Sequence, residues 1–213
     1  VSAHAGDKPE DGVNALDAAV TAYNAIAMLR QHLPTTHKIT IVIKGSERFI
    51  SNTVPNRASI WVGVRAPTGK ETVTAIDRVL NCLKAGALSS GCSYEISREH
   101  MYMDMQQSEA FTEYFTQVTE GKYGKESYPV DRTPITAGTD LGNVSYHMPS
   151  LHALFYLPEA KAGDFPHSET FAQWTDTRSA TLTTLKTAEA IATVGIRMII
   201  DRPWAAEVKK DWE

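Results

Sequence analysis

The sequence has little of what marks several large classes of protein. It holds only two cysteines, Cys82 and Cys92, which are too far apart for a C-x-x-C motif and have no histidine beside them. Disulfide frameworks, thiol redox motifs and cysteine-based metal sites are therefore excluded, and a reducing, cytoplasmic compartment is expected. No run of about 18 apolar residues occurs, and the N-terminus carries neither a basic nor an apolar signal region, so no membrane association is expected.

A surplus of positive charge is also absent. The chain has 21 Lys and Arg against 25 Asp and Glu, a net charge of −4, and no cluster of basic residues. Nucleic-acid binding is therefore not expected. What remains is the composition of an ordinary globular protein, with 213 residues, 42% of them apolar and 22% charged. That length suits one large domain or two small ones.

Helical and strand patterns alternate over the first hundred residues. Apolar spacing predicts helices, and period-2 alternation predicts strands. In chain order, the predicted elements are a helix over 12–33, strands over 39–43 and 58–64, a helix over 73–87 and a strand over 92–96. With residues 1–5 as the tail of another strand, this is the β-α-β-β-α-β order of a ferredoxin-like sandwich. The chain is expected to begin inside that first strand, and the absence of Met at position 1 favours a fragment or a processed product.

The second half of the chain differs in character, which predicts a domain boundary between 1–105 and 106–213. Its predicted elements are a helix over 106–118, strands over 134–138 and 153–157 around a polar loop over 139–150, and helices over 168–177 and 179–200. The last helix carries an apolar stripe made of Leu182, Leu185, Ala188, Ala192, Ile196 and Ile199. The expected fold class is α+β.

Three residues of the first half are candidates for chemistry. His4 ends a predicted strand among small neighbours, and Asn52 lies in the Asn52-Thr53-Val54-Pro55 connection between the two central strands. Arg65 points to the uncovered side of the sheet, where a guanidinium can fork onto a carboxylate. For each of them a structural interpretation stays open: a hydrogen-bonded histidine, an Asx turn and a surface arginine.

Three further candidates lie in the second half. Asp140 and His152 belong to a polar stretch between two short predicted strands, where α/β proteins often carry their chemistry, and we assign them to substrate binding. Plain loop polarity is the alternative. His167 precedes Ser168, the predicted N-cap of the next helix, and one imidazole is a single ligand of the four or more that a zinc site requires.

Seven motifs occur together and in order: AHAG at 3–6, GVNALDAA at 12–19, NTVP at 52–55, WVGVRA at 61–66, GTDLGNVS at 138–145, PSLH at 149–152 and HSETF at 167–171. In these motifs the chain resembles the M20 metallopeptidase/amidohydrolase family. The likeness is to the branch of aminobenzoyl-glutamate hydrolases and M20-domain dipeptidase-like proteins.

The resemblance implies a two-domain enzyme and a homodimer. Residues 1–105 would be the ferredoxin-like lid or dimerisation domain, and 106–213 the C-terminal part of an α/β zinc-peptidase-like catalytic domain. Two zinc ions, or manganese or cobalt in their place, would activate a water against an amide carbonyl. By matched position, His4 would stabilise the oxyanion in the partner subunit's site and Asn52 would assist it. Arg65 would clamp a substrate carboxylate, and His167 would be the last metal ligand.

The sequence also departs from the family. No counterpart of the family's earlier metal ligands or paired glutamates exists, since the chain has no His-x-Asp and no Glu-Glu pair. We therefore expect that the N-terminal half of the catalytic domain is omitted, cleaved or carried on another chain, or that the protein is a shortened, inactive relative. The expected function is part of a metal-dependent hydrolase of an N-acyl amino acid or dipeptide-like amide. The alternative is a non-catalytic ferredoxin-like dimerisation or binding module.

Overall fold

The structure is a computed structural model that describes residues 1–45, 50–125, 127–130, 138–161 and 163–212. These residues form helices and a single two-stranded sheet, which confirms the α+β class. The chain divides into two units. The first contains Val1–Asp104 and Gly138, and the second contains the other described residues from Met105 onward.

The sheet of the first unit follows the predicted alternation. Strand β1 (Lys38–Lys44) pairs antiparallel with β2 (Ser59–Arg65). One face is apolar and packs against Ile26 and Val79 of two flanking helices, and Ile39 is its buried residue. The other face, which we call the outward face, is exposed. It consists of four cross-strand pairs, Lys38 with Arg65, Thr40 with Gly63, Val42 with Trp61, and Lys44 with Ser59.

Both flanking helices have strong N-terminal caps. The side chain of Asn14 accepts the N–H of Leu16 at 2.9 Å to begin helix α1 (Ala15–Leu29). Helix α2 (Gly69–Ser89) begins at a capping box between Thr68 and Glu71. Helix α1 is shorter than predicted because its last turn tightens into a 3-10 helix over Arg30–His32.

The four-stranded ferredoxin-like sheet is not present in the described residues. The predicted strand around Cys92, Tyr94 and Ile96 has no regular structure. This segment follows the end of α2, where the N–H of Cys92 donates to the carbonyl of Ala87. It then runs back to the start of α2, where the Asp104 carboxylate accepts the N–H of Gly69 at 2.8 Å. A strand exists only in a ladder, and no described residue supplies a ladder partner here.

The second unit is helical. Its helices are α3 (Glu109–Tyr123), α4 (Asp140–Ser145), α5 (Glu169–Thr175), α6 (Arg178–Ile200) and α7 (Arg202–Trp212). Its core consists of Phe111, Phe115, Ala190, Val194, Trp204 and Val208. Arg197 lies 4.3 Å from the Tyr114 ring and 4.4 Å from the Trp204 ring, so its guanidinium is sandwiched by cation–π contacts over this core.

Three predictions for the second half of the chain need correction or remain outside the described residues. The predicted polar loop over 139–150 contains α4, because the Thr139 hydroxyl accepts the N–H of Leu141 and so starts a helix. The predicted strand over 153–157 has no ladder partner among the described residues and no regular structure. Of the predicted strand over 134–138, only Gly138 lies within the described residues. The described part is therefore not the α/β arrangement expected from the sequence.

Helix α6 packs with the face opposite to the predicted one. Its buried residues are Ala180, Thr187, Ala190 and Val194. The predicted stripe is exposed instead, with Leu185 at 60%, Ile196 at 57% and Ile199 at 79% of full accessibility. The helix is apolar on more than one face, so apolar spacing alone could not select the buried one.

Candidate functional site

The segment that carries His4 is fixed by backbone pairing with the connection between β1 and β2. The N–H of Ala5 donates to the carbonyl of Asn52 at 2.9 Å, and His4 lies opposite Thr53 in an antiparallel bridge. The structure therefore brings together His4 and Asn52, which are 48 residues apart in the sequence.

Close packing supports this pairing from behind. A Cβ atom at Gly12 would lie 3.1 Å from the side chains of both Ala3 and Val54, so the glycine lets three segments meet. The N–H of Val13 also donates to the carbonyl of Val1 at 2.9 Å. The His4 segment is thus hydrogen bonded on both of its edges.

The His4 ring has a defined tautomer in its neutral form. Its Nδ1 accepts the N–H of Gly6 at 3.2 Å, so the proton of the neutral imidazole is on Nε2. The neighbouring Asn52 carboxamide accepts the Thr53 hydroxyl through Oδ1 at 3.4 Å. Both side chains are exposed, and each presents N–H donors of the kind that stabilise an oxyanion.

Arg65 is the last residue of β2 and is exposed on the outward face of the sheet. Its cross-strand neighbour is Lys38, so two cations lie at the same level of the sheet. The sequence placed Arg65 on this side correctly. The same alternation places Trp61 and Gly63 on that side of β2.

Asp140 and His152 are in the second unit, in different surroundings. Asp140 is exposed in the first turn of α4. The backbone of His152 is clamped by the Gln107 carboxamide, which accepts its N–H at 2.8 Å and donates to its carbonyl at 2.9 Å. The structure describes no hydrogen bond or ion pair between these two side chains, and their assignment to substrate binding stays a prediction.

His167 lies in a strained turn before α5. Its φ of 72° is the one positive value at a described non-glycine residue. Asp164 anchors the loop, because it accepts the Lys161 N–H and the Trp174 Nε1–H at 2.8 Å each. The pKa of the Asp164 carboxyl is lowered from its ordinary value. The main cause is the hydrogen bond from the Lys161 N–H, and the second is the hydrogen bond from Trp174. The sequence did not reveal this anchor, since Asp164 and Trp174 are ten residues apart and form no motif.

The described residues do not fit a dinuclear metal centre. Among residues 1–45, 50–125, 127–130, 138–161 and 163–212, no three His, Cys, Asp or Glu side chains come together as a metal-binding group. His167 is an exposed single imidazole. One such ligand lacks the chelate arrangement that gives zinc sites their affinity.

Comparison with known proteins identifies the first unit. Residues 1–90 match the peptidase dimerisation domain of the M20 family. Residues 1–90 belong to that domain family. The match covers both strands and helices α1 and α2, and it includes His4, Asn52 and Arg65.

Three curated hydrolases are similar to this chain over most or all of its length. It is 30% identical to the Xaa-Arg dipeptidase of Mus musculus and 28% identical to that of Homo sapiens, in each case over all of this chain. It is 27% identical to the indole-3-acetyl-aspartic acid hydrolase of Enterobacter agglomerans over 80% of the chain. The chain spans 49% of the mouse protein and 48% of the human protein, about half of each.

Solved structures agree at the level of the fold. An aminobenzoyl-glutamate utilization protein from Klebsiella pneumoniae matches 68% of this chain and 36% of its own, with 25% identity and a TM-score of 0.52. A putative aminohydrolase from methicillin-resistant Staphylococcus aureus matches 91% of this chain and 49% of its own, with a TM-score of 0.64. At 15% identity the second match shows a shared fold only.

None of the helices that the structure describes is both long enough and apolar enough to cross a bilayer.

Proposed function

We propose that this chain is the lid and C-terminal catalytic portion of a metal-dependent amide hydrolase. Residues 1–105 are the lid or dimerisation domain, and 106–213 are the C-terminal part of the catalytic domain. The substrate is an N-acyl amino acid or a dipeptide-like amide. The observation that carries the proposal is the backbone pairing of the His4 segment with Asn52 and Thr53 inside a matched M20 dimerisation domain.

The relatives support the reaction class. They are named as an Xaa-Arg dipeptidase and an indole-3-acetyl-aspartic acid hydrolase. A dipeptide and an acyl-aspartate both contain an amide bond next to a carboxylate. The shared chemistry is therefore hydrolysis of an amide whose amino-acid half carries a carboxylate.

The first unit contributes oxyanion stabilisation and substrate binding. When a nucleophile attacks an amide carbonyl, negative charge develops on the carbonyl oxygen. The Nε2–H of His4 and the carboxamide of Asn52 donate to that oxygen. As in the family, His4 serves the site of the second subunit of a homodimer. Arg65 binds the carboxylate that the substrate already carries.

The groups that bind metal and activate water are not assembled by the described residues. In the complete enzyme, His167 would supply one ligand to a centre of two divalent ions, zinc or else manganese or cobalt. This chain's own part in the reaction is binding, positioning and oxyanion stabilisation. Asp140 and His152 act in substrate binding.

A second candidate function is a non-catalytic dimerisation or binding module. It is favoured by the lack of a metal-binding group among the described residues. Zinc titration calorimetry separates the two cases when two samples are compared. One is the chain alone, and the other is the chain in complex with the part of the relatives that it does not match. The chain alone should show no stoichiometric tight site, and a complex with that half should bind about two ions per active site. A non-catalytic module would bind no additional metal ions in that complex.

Subunit exchange tests the catalytic proposal in an active enzyme that contains this chain. His4→Ala should lower kcat by about 10²–10³. Mixing it with inactive His167→Ala should restore activity, since some mixed dimers then hold one complete site. A His4→Ala enzyme with unchanged kcat would return His4 to a structural role. Arg65→Ala is the contrasting variant, which should raise KM more than it lowers kcat.

A further inference from the structure

The turn that carries His167 has a histidine at a position where glycine is the usual residue. The N–H of Ser168 donates to the carbonyl of Phe165 at 3.1 Å, which closes a four-residue turn with Pro166 and His167 in its middle. Pro166 at the second position and the φ of 72° at His167 are the pattern of a type II turn. The third residue of such a turn is commonly glycine, because the turn needs a positive φ there.

A histidine at this position costs stability. A side chain with a Cβ atom is sterically disfavoured at positive φ, and the other positive values among the described residues belong to Gly91, Gly124 and Gly163. Strained conformations of this kind persist where surrounding contacts enforce them, and they cluster at functional sites. What His167 has and a glycine lacks is an imidazole, and the residue is exposed. The turn therefore places that ring at a cost in stability.

Asp164 makes the contact that spans the turn. One of its oxygens, Oδ2, accepts both the Lys161 N–H before the turn and the Trp174 Nε1–H after it, at 2.8 Å each. Thr170 is a further hydrogen-bond partner, and these bonds, that from the Lys161 N–H first, lower the pKa of the Asp164 carboxyl. The acceptor is therefore charged at neutral pH. Its bond to Trp174 closes a loop around His167 and limits how far the turn can open.

Trp174 is itself fixed to helix α6. The Thr177 hydroxyl donates to the carbonyl of Trp174 at 3.0 Å, and the same oxygen caps α6 by accepting the N–H of Ala180 at 3.1 Å. Helix α6 has 23 residues and contributes to the core of the second unit. Hydrogen bonds thus connect a long, packed helix to the turn of His167 through Asp164.

We propose that Asp164 and Trp174 are positioning residues for His167. Their hydrogen bond keeps the turn in its left-handed form and holds the imidazole in one direction relative to α6. The inference rests on the proposed function, which counts His167 among the residues of the site. It goes further by naming the two residues that orient His167, and both act through it.

Two substitutions of His167 test the strain in the chain itself. His167→Gly and His167→Ala both remove the imidazole, but only glycine adopts a positive φ without a steric penalty. The glycine variant should therefore be the more stable of the two, with an unfolding equilibrium constant about 2- to 10-fold smaller in a urea titration. Inside a regular helix or strand the order is reversed, since glycine there lowers stability relative to alanine. Equal stability of the two variants, or a more stable alanine variant, would overturn the inference.

The bond from Trp174 has a spectroscopic readout. The one-bond Cα–Hα coupling of His167, measured by NMR, differs between positive and negative φ. Trp174→Phe removes the indole donor and should shift this coupling towards the value for negative φ. Trp212→Phe is the matched control, because it removes an indole hydrogen bond of the same kind, to the Ser145 carbonyl at 3.1 Å, and should leave the coupling unchanged. A coupling that stays the same in Trp174→Phe, or that shifts equally in both variants, would contradict the positioning role.

An active enzyme that contains this chain separates this inference from the proposed function. Asp164→Ala should lower kcat by about 10- to 100-fold with KM nearly unchanged, the usual effect of removing a group that orients a ligand residue. Asp164→Asn should restore most of kcat, because an amide oxygen in the place of Oδ2 still accepts both bonds. If His167→Ala loses activity while Asp164→Ala keeps the wild-type kcat, the positioning role fails and the proposed function stands. If His167→Ala itself keeps the wild-type kcat, the role of His167 in the proposed function fails, and the positioning role fails with it.

Discussion

At the scale of single residues, Gly86 sets how closely the two helices of the first unit approach. A Cβ atom at this position would lie 2.5 Å from the carbonyl of Ala18 and 2.7 Å from the Cβ of Ala22. Neither atom can swing away, because one belongs to the backbone of α1 and the other is bonded directly to it. The position therefore accepts no side chain unless the helices separate.

We predict that Gly86→Ala destabilises the protein by about 1–3 kcal/mol, the usual cost of overpacking. Gly121→Ala is the matched control, since Gly121 is also inside a helix but has no atom within 4 Å of its virtual Cβ. That substitution should stabilise by about 0.5–1 kcal/mol through helix propensity. Urea denaturation measures both, and a neutral Gly86→Ala would show that α1 and α2 pack less tightly than the structure has them.

Asp201 is a second residue whose contacts determine a measurable property. Its carboxylate accepts the backbone N–H of Trp204 at 3.1 Å, which caps α7, and the Nε–H of Arg197 at 3.2 Å. The bond from the Trp204 backbone, and then that from Arg197, lower the pKa of Asp201. The charged form is thus favoured in the folded state.

A lowered pKa gives a definite pH dependence. Stability from Asp201 is fully present above the ordinary carboxyl pKa, about pH 4, and is lost as the pH falls through the folded value. Asp201→Asn should therefore flatten the acid limb of the stability curve below about pH 4. Thermal unfolding at a series of pH values tests this. Asp176→Asn, at an exposed position at the C-terminal end of α5, is the control and should leave the limb unchanged.

At the scale of secondary-structure elements, α6 presents apolar residues to both protein and solvent. Val194 is 4% exposed and packs in the core, whereas Leu185 and Ile196 are 60% and 57% exposed. We predict that Leu185→Gln and Ile196→Gln change stability by less than about 0.5 kcal/mol, as exposed substitutions do. Val194→Ala should cost more, about 1–3 kcal/mol. Chemical denaturation ranks the three, and a large loss at Leu185 or Ile196 would mean that this face is covered in solution.

The elements also differ in how far the sequence could predict them. Strands β1 and β2 were predictable because one face is buried and the alternation is strict. The segment around Tyr94 alternates as well, but a strand also needs a ladder partner, which its own sequence does not contain. Helix α4 was missed because it is one and a half turns long, and only its cap at Thr139 distinguishes it from a polar loop. On α6, apolar residues on several faces made the choice of buried face ambiguous.

At the scale of the whole molecule, the same limits apply to the candidate site. His4 and Asn52 could be selected from their motifs, and the structure adds the backbone pairing that places them side by side. The tautomer of His4 depends on Gly6, and the cation pair of Lys38 and Arg65 depends on the register of two strands. Neither is contained in a motif, because both arise from distances that only the folded chain defines.

Association of two chains is the property of the whole molecule that the M20 dimerisation domain predicts. Strand β1 pairs with β2 along one edge only in the described sheet. Helix α1 lies beside it, with the Arg30 guanidinium donating to the Ile39 carbonyl at 3.1 Å. Apolar side chains of α1 are also exposed, with Tyr23 at 37% and Met28 at 67%. An open edge next to exposed apolar residues is usually paired or covered.

We therefore predict a two-fold dimer in which the β1 edges pair and the α1 helices flank the contact. Sedimentation equilibrium should find a dimer at micromolar concentration. Replacing both Tyr23 and Met28 by lysine places like charges across the two-fold axis and should raise the dissociation constant by at least about tenfold. Leu88→Lys is the control, because Leu88 is 84% exposed at the end of α2 and should not affect association. A wild-type monomer at these concentrations, or equal weakening by Leu88→Lys, would contradict a dimer built on β1 and α1.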